Sequence, residues 1–129
     1  MARKKETKEP SLNTIVMDGN LETAEALAAL SAAALAATAA LPAALGRCET
    51  QRQMEKVIAD RDICQLAYSN SLQKSLRHTG PLFEQIAKEL HSASEEIDRK
   101  SKELAGAAEA VDLLAAAARL AGSLALAFG

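Results

Sequence analysis

The sequence predicts an all-α protein, either a long antiparallel helical hairpin or a three-helix, coiled-coil-like bundle, Ala-rich at one end. Three observations lead there. Residues 26–45 carry no charge and are mostly alanine, interspersed with Leu27, Leu30, Leu35, Leu41 and Leu45. Further on, Phe83, Leu90, Ile97, Leu104, Val111, Ala118 and Ala125 recur at strict seven-residue intervals, the period of helices packed along a left-handed seam. Between these stretches stands Thr79-Gly80-Pro81, a glycine suited to a left-handed C-cap followed by a proline that cannot continue a helix.

Residues 1–19 read as an N-terminal arm, disordered or loosely docked. Its beginning is dense in charge and closes on Pro10, and a short apolar patch from Leu12 to Met17 ends in the turn signal Asp18-Gly19. Residues 20–129 read as a single helical domain. Its first helix is expected over about residues 20–45, capped by Asn20, with Glu22 and Glu25 where the helix dipole favours acids. Along it Ala28, Ala32, Ala36, Ala40 and Ala44 form an i, i+4 row of methyl groups, a ridge low enough for another helix to approach closely. Pro42 removes a backbone donor and Gly46 weakens the same turn, so the chain either bends there or folds back.

The second helix is expected over about residues 47–78, with Met54, Ile58, Cys64, Tyr68, Leu72 and Leu76 on one stripe and His78 at its C-terminal end, where a partial positive charge suits the dipole. The third is expected as one unbroken helix over residues 82–128, about 70 Å long. Turning the chain at Gly80 would lay the two Ala-rich stretches side by side and bring the charged halves together near the turn. A fold-back at residues 42–46 would instead give the three-helix bundle. In the charged run, Glu95–Arg99 and Glu96–Lys100 have the spacing and order of favourable helical ion pairs.

Composition bounds the function. Tryptophan is absent, aromatics make up 2% of the chain, and the net charge is −2, which offers little material for a lined active-site pocket and no electrostatic reason to bind nucleic acid. No phosphate-binding loop, dinucleotide-binding glycine pattern, nucleophile elbow or zinc-protease motif occurs. Neither His78 nor His91 has a glutamate three residues before it, as a di-iron bundle would require. His91 reads as a solvated side chain. Cys48 and Cys64 would lie about 24 Å apart on one helix axis, so they read as small apolar residues of a reducing, cytoplasmic compartment.

These readings point away from an enzyme and from any cofactor or metal. They point to a structural or adaptor protein that packs on copies of itself or on another helical protein. The expected contact residues are Ala28, Ala32, Ala36, Ala40 and Ala44 together with the seam Phe83, Leu90, Ile97, Leu104, Val111, Ala118 and Ala125. A membrane-active protein, holin- or translocator-like, is the alternative, because residues 26–45 are long enough to span a bilayer. Asp112 and Arg119 oppose it for the C-terminal stretch, at about 2.5–3.5 kcal/mol each near a bilayer centre. A small chaperone or inhibitor with one protein partner is a further alternative.

Overall fold

The computed structural model describes residues 18–103 and 107–129. The expected arm therefore lies outside the described residues except for Asp18 and Gly19, and so does Leu104 of the seam. The described chain is all-helical, with α1 over Thr23–Gly46, α2 over Gln51–Ser71, α3 over Pro81–Ser101 and α4 over Ala107–Ala125, then a short 3-10 turn over Leu126–Phe128. No strand occurs among the described residues.

Helix α1 starts later than the Asn20 cap would place it. Glu22 is the N-cap, and its N–H donates to Glu25 Oε1 at 3.0 Å. Pro42 neither ends nor replaces the helix, which runs on to Gly46. Its ring removes the bond to the carbonyl of Thr38, and both residues are exposed, so that carbonyl is open to solvent and the proline is tolerated. The chain then folds back. Thr50 caps α2 by accepting from Gln53 N–H at 3.1 Å, while Gln53 Oε1 accepts from Thr50 N–H at 3.1 Å. This is a Thr-x-x-Gln capping box, and it cuts the second helix of the sequence reading shorter at its start.

Helix α2 is also shorter at its end. It stops at Ser71 because tertiary partners claim the backbone beyond it: Leu76 N–H donates to Thr23 Oγ1 at 3.2 Å, and Arg77 and His78 N–H donate to the Ala127 carbonyl at 2.8 and 3.0 Å. His78 therefore caps no helix, and its ring stacks on Phe83 with centroids 6.3 Å apart. Gly80, at φ 133°, does not close α2 but serves as the N-cap of α3, with Pro81 in the first turn. Proline is well placed there because the first N–H groups of a helix lack internal partners.

The third expected helix is two helices. Arg99 and Lys100 occupy the last turn of α3, where cations suit the dipole, and the Lys102 N–H closes on the carbonyls of Arg99 and Lys100. Glu109 stands in the first turn of α4, and Lys100 Nζ reaches it at 3.4 Å. Arg99 pairs with Glu96 rather than with Glu95. The seven-residue pattern survives the break but slips by one residue: Leu90 and Ile97 are fully buried in α3, whereas the fully buried series in α4 is Ala110, Ala117 and Leu124.

The packing corrects the expected hairpin. Helix α1 packs on α2 and α3, α4 packs on the same two, and α1 and α4 also meet each other, while α2 and α3 occupy far corners. The Thr38–Gln65 hydrogen bond runs α2 antiparallel to α1. Glu84 beside residues 18–20 puts the starts of α1 and α3 at one end, and Ala127 beside His78 brings α4 back to it. The cross-section is thus a rhombus with the two Ala-rich helices on its short diagonal. A helix on that diagonal has three neighbours and must be apolar around most of its girth, which accounts for the composition of α1. Alanine does not gather at one end of a rod; it runs the full length of the two central helices, and the charged helices flank them.

The expected Ala row is drawn at an angle to the true contact. The fully buried residues of α1 are Ala26, Ala29, Leu30, Ala33, Ala37, Ala40 and Ala44, which contains the heptad seam 26/33/40 and 30/37/44. Residues four apart rotate about 40° per step around a helix of 3.6 residues per turn, whereas a heptad drifts by only about 20°. A row of five such residues therefore leaves the seam, and Ala28 and Ala32 end up half-buried while Ala36, Ala40 and Ala44 are buried.

Candidate interaction surface

Of the seam residues, Leu90, Ile97 and Ala118 lie in the core, and Phe83, Val111 and Ala125 are half-buried against it. They hold this chain together. The side chains that α1 turns outward are others. Leu35 is 70% exposed, the most exposed large apolar side chain of the described residues, and Thr38, Ala39 and Pro42 are exposed beside it. No charge interrupts this face. Grooves flank it on both sides, one of about 560 Å³ against Gln65, Tyr68 and Ser69 of α2, the other of about 460 Å³ against His91, Ser94, Glu95 and Asp98 of α3. Leu35 lines both. Among the leucines of α1 it alone stands out from the bundle, and that position was invisible to an i, i+4 count starting at Ala28.

The stripe expected on α2 is rotated in the structure. Val57, Asp60, Cys64, Ala67 and Ser71 are buried, whereas Met54 and Ile58 are 39% and 38% exposed and Leu72 is 48% exposed. Ile63 and Leu66 also face outward. The sequence misled here because the buried stripe contains an acid and a serine. Asp60 tolerates burial through Lys56, whose Nζ meets both carboxylate oxygens at 2.7 and 2.8 Å while keeping its stem in solvent.

Cys64 sits one turn from Asp60 in the core. Burial first, and the Asp60 carboxylate second, push its thiol from the ordinary 9.0 up to about 11, so it stays protonated and inert at neutral pH. Cys48, half-buried in the α1–α2 turn, donates its Sγ–H to the Ala44 carbonyl at 3.4 Å. Both thiols are free. Mass spectrometry after a brief maleimide pulse at pH 7.5 is expected to find Cys48 modified and Cys64 unmodified. Because the folded state holds the Cys64 proton more tightly than the unfolded chain, stability should be constant below pH 9 with respect to this group and fall as pH rises from 9 towards 11. Cys64→Ala should flatten that slope in urea titrations.

Two polar side chains of α3, Glu84 and His91, lie inside. Glu84 is 1% exposed and accepts from the N–H groups of Asp18, Gly19 and Asn20 at 3.0, 2.7 and 3.2 Å. The carboxylate stands in the first turn of α3, where the helix dipole also favours it. It clasps the segment entering α1 to the start of α3, so Asn20 belongs to this clasp rather than to a helix cap. His91, expected in solvent, is 7% exposed. Its Nδ1 is the buried side-chain atom without a hydrogen-bond partner among the described residues, a deficit worth about 1–3 kcal/mol. Asp112 and Arg119 do face water.

Two helical stretches, Thr23–Gly46 and Ala108–Phe128, are long and apolar enough to cross a membrane, with mean hydropathies of 1.8 and 1.6. In the bundle 44% and 39% of their apolar windows are buried. Among the described residues no group of three or more His, Cys, Asp or Glu side chains is placed to hold a metal ion. No family model, no curated protein and no solved structure matches this chain.

Proposed function

We propose that this chain is a non-enzymatic helical assembly protein that associates with copies of itself through the outward face of α1. One observation carries the reading: an uncharged helix face with Leu35 70% exposed at its centre and a groove on either side. A leucine standing between two grooves is self-complementary. Two such faces related by a two-fold axis can each set their leucine into a groove of the other, as an isologous contact requires. With no charge on α1 between Ala26 and Gly46, the approach meets no like-charge repulsion. Exposed Met54 and Ile58 on neighbouring α2 would extend the apolar area.

Leu35→Glu tests this without disturbing the interior. A charge at Ala36, which is 4% exposed, would instead attack the core. The native chain is expected to sediment as a dimer or larger particle free of lipid. Leu35→Glu is expected to sediment as a monomer with unchanged helix content, a loss of association of at least about tenfold, or roughly 1.4 kcal/mol. A native chain that sediments as a monomer at high micromolar concentration would sink the proposal.

The second reading, membrane association, rests on the two spanning-length apolar helices. It requires the bundle to open, since these helices meet along its short diagonal. Flotation with phosphatidylcholine/phosphatidylglycerol vesicles separates the two: protein recovered with lipid, with α1 labelled by a bilayer-restricted reagent, would favour the membrane reading over the soluble assembly.

A further inference from the structure

We propose that the outward face of α4 is a second self-association surface, on which two copies of the chain meet antiparallel with Asp112 of each opposite Arg119 of the other. The two central helices of the rhombus, α1 and α4, turn their free faces in opposite directions. On α4 the fully buried residues are Ala110, Leu114, Ala117, Ala121 and Leu124. At about 100° per residue, Asp112 and Arg119 stand about 20° apart on the other side of the helix, and both are exposed. They are the charged residues of α4 beyond its first turn. Neither is used within the chain: among the described residues no ion pair or hydrogen bond engages Asp112 or Arg119. Seven residues separate them, about 10.5 Å along the axis, too far for them to pair with each other.

Their spacing matches a second copy instead. The point midway between them falls at Ala115–Ala116, and α4, which runs Ala107–Ala125, has its own midpoint at Ala116. A two-fold axis there sets Asp112 against the partner's Arg119 and Arg119 against the partner's Asp112, so one pair of residues makes two ion pairs. A parallel contact would set like charges against each other, and docking on the uncharged face of α1 would leave both charges without a partner. The charges thus select both the partner and its direction. The surface around them is low: Ala115 and Ala116 are half-buried and Ala108 is exposed. Gly122 is exposed too, and a Cβ there would meet no side chain and no other helix within 4 Å. The chain's own packing does not require this glycine, which weakens a helix interior relative to alanine. A second backbone passing close by accounts for it. Alanines and two exposed ion pairs make a weak contact, sensitive to salt and formed only at high protein concentration, whereas Leu35 governs association in the micromolar range. Because the two faces look in opposite directions, alternating α1 and α4 contacts can join copies into a linear chain, and only that consequence rests on the α1 reading.

The test is sedimentation equilibrium of the full chain carrying Leu35→Glu, at protein concentrations up to about 1 mM and in about 20 mM or about 500 mM salt. A monomer–dimer equilibrium is expected at low salt, at least about tenfold weaker at high salt. Asp112→Arg and Arg119→Asp each put like charges across the axis, and each should weaken the dimer at least about tenfold while circular dichroism shows the same helix content. The swapped variant Asp112→Arg/Arg119→Asp keeps the composition and net charge and should recover the dimer constant to within about threefold. No dimer at about 1 mM, association that survives either single reversal, or a swapped variant as weak as the single ones would overturn the proposal. A native chain that is monomeric at micromolar concentration would remove the α1 contact alone, since this dimer is measured with Leu35 already replaced.

Discussion

Glu84→Ala is expected to destabilise the protein by about 3–5 kcal/mol, below the full sum of three charge-assisted hydrogen bonds at about 1.5–3 kcal/mol each, because the N–H groups of exposed Asp18 and Asn20 regain water. The carboxylate accepts from the N–H groups of Asp18, Gly19 and Asn20 and is 1% exposed, so water cannot readily replace it. Gly19 sits at φ 82°, a conformation that suits glycine and that aims successive amides at one acceptor. Glu84→Gln preserves shape but presents an NH2 group to amide donors, so it should recover only part of the loss. Urea unfolding gives the magnitude and amide exchange gives the location: Gly19 and Asn20 should exchange much faster in Glu84→Ala than in the native chain. Equal protection of those amides would show that the clasp contributes nothing.

Leu90→Ala is expected to cost about 2–5 kcal/mol, and towards the upper end of that range. Leu90 is fully buried and belongs to a small set of large core side chains, with Leu21, Leu30, Ile97, Leu114 and Leu124. Much of the rest of the core is alanine. The cost of such a truncation depends on how far the surroundings collapse into the space left. Alanine has no rotamer to change, so a cavity bordered by methyl groups on stiff backbones stays open. Against a typical total stability of about 5–15 kcal/mol, the variant should unfold at a much lower urea concentration with an unchanged slope. A shift of less than about 1 kcal/mol would mean that the helices slide together to fill the void.

The two effects belong to different layers of legibility. That Leu90 and Ile97 are core residues was readable from the seven-residue spacing, because a leucine or isoleucine on that period loses far more by exposure than its polar neighbours do. Glu84 gave no such signal. A glutamate near a helix start is ordinarily a solvated partner of the dipole, and its burial depends on amides sixty-odd residues away in sequence. His91 was misplaced for the same reason: it is covered because α3 lies against the low Ala-rich surface of α1, a fact about helix pairing rather than about residues near His91. The break after Ser101 left a trace, Arg99-Lys100 followed by Glu109. Arg99 and Lys100 fit i, i+4 pairing with Glu95 and Glu96 within one helix equally well, and the apolar heptad running through them concealed the end. The capping box at Thr50–Gln53 was a local sign of the fold-back that the apolar stripe of α2 overrode.

By itself the sequence determined that the chain is helical, that the helical run breaks at Thr79-Gly80-Pro81, and that its helices pack through small side chains. These are sums of local terms, propensity, turn chemistry and apolar period, that act within a few residues. Only the tertiary structure decided how many helices there are, which pair occupies the short diagonal, and which face of α1 looks out. In α1 rotation by one residue often exchanges one methyl group for another, so the energy of the helix alone barely distinguishes its sides. The choice was made by the partners: α2, α3 and α4 cover Leu30, Ala33, Ala37 and Ala40, and what they leave uncovered is Leu35.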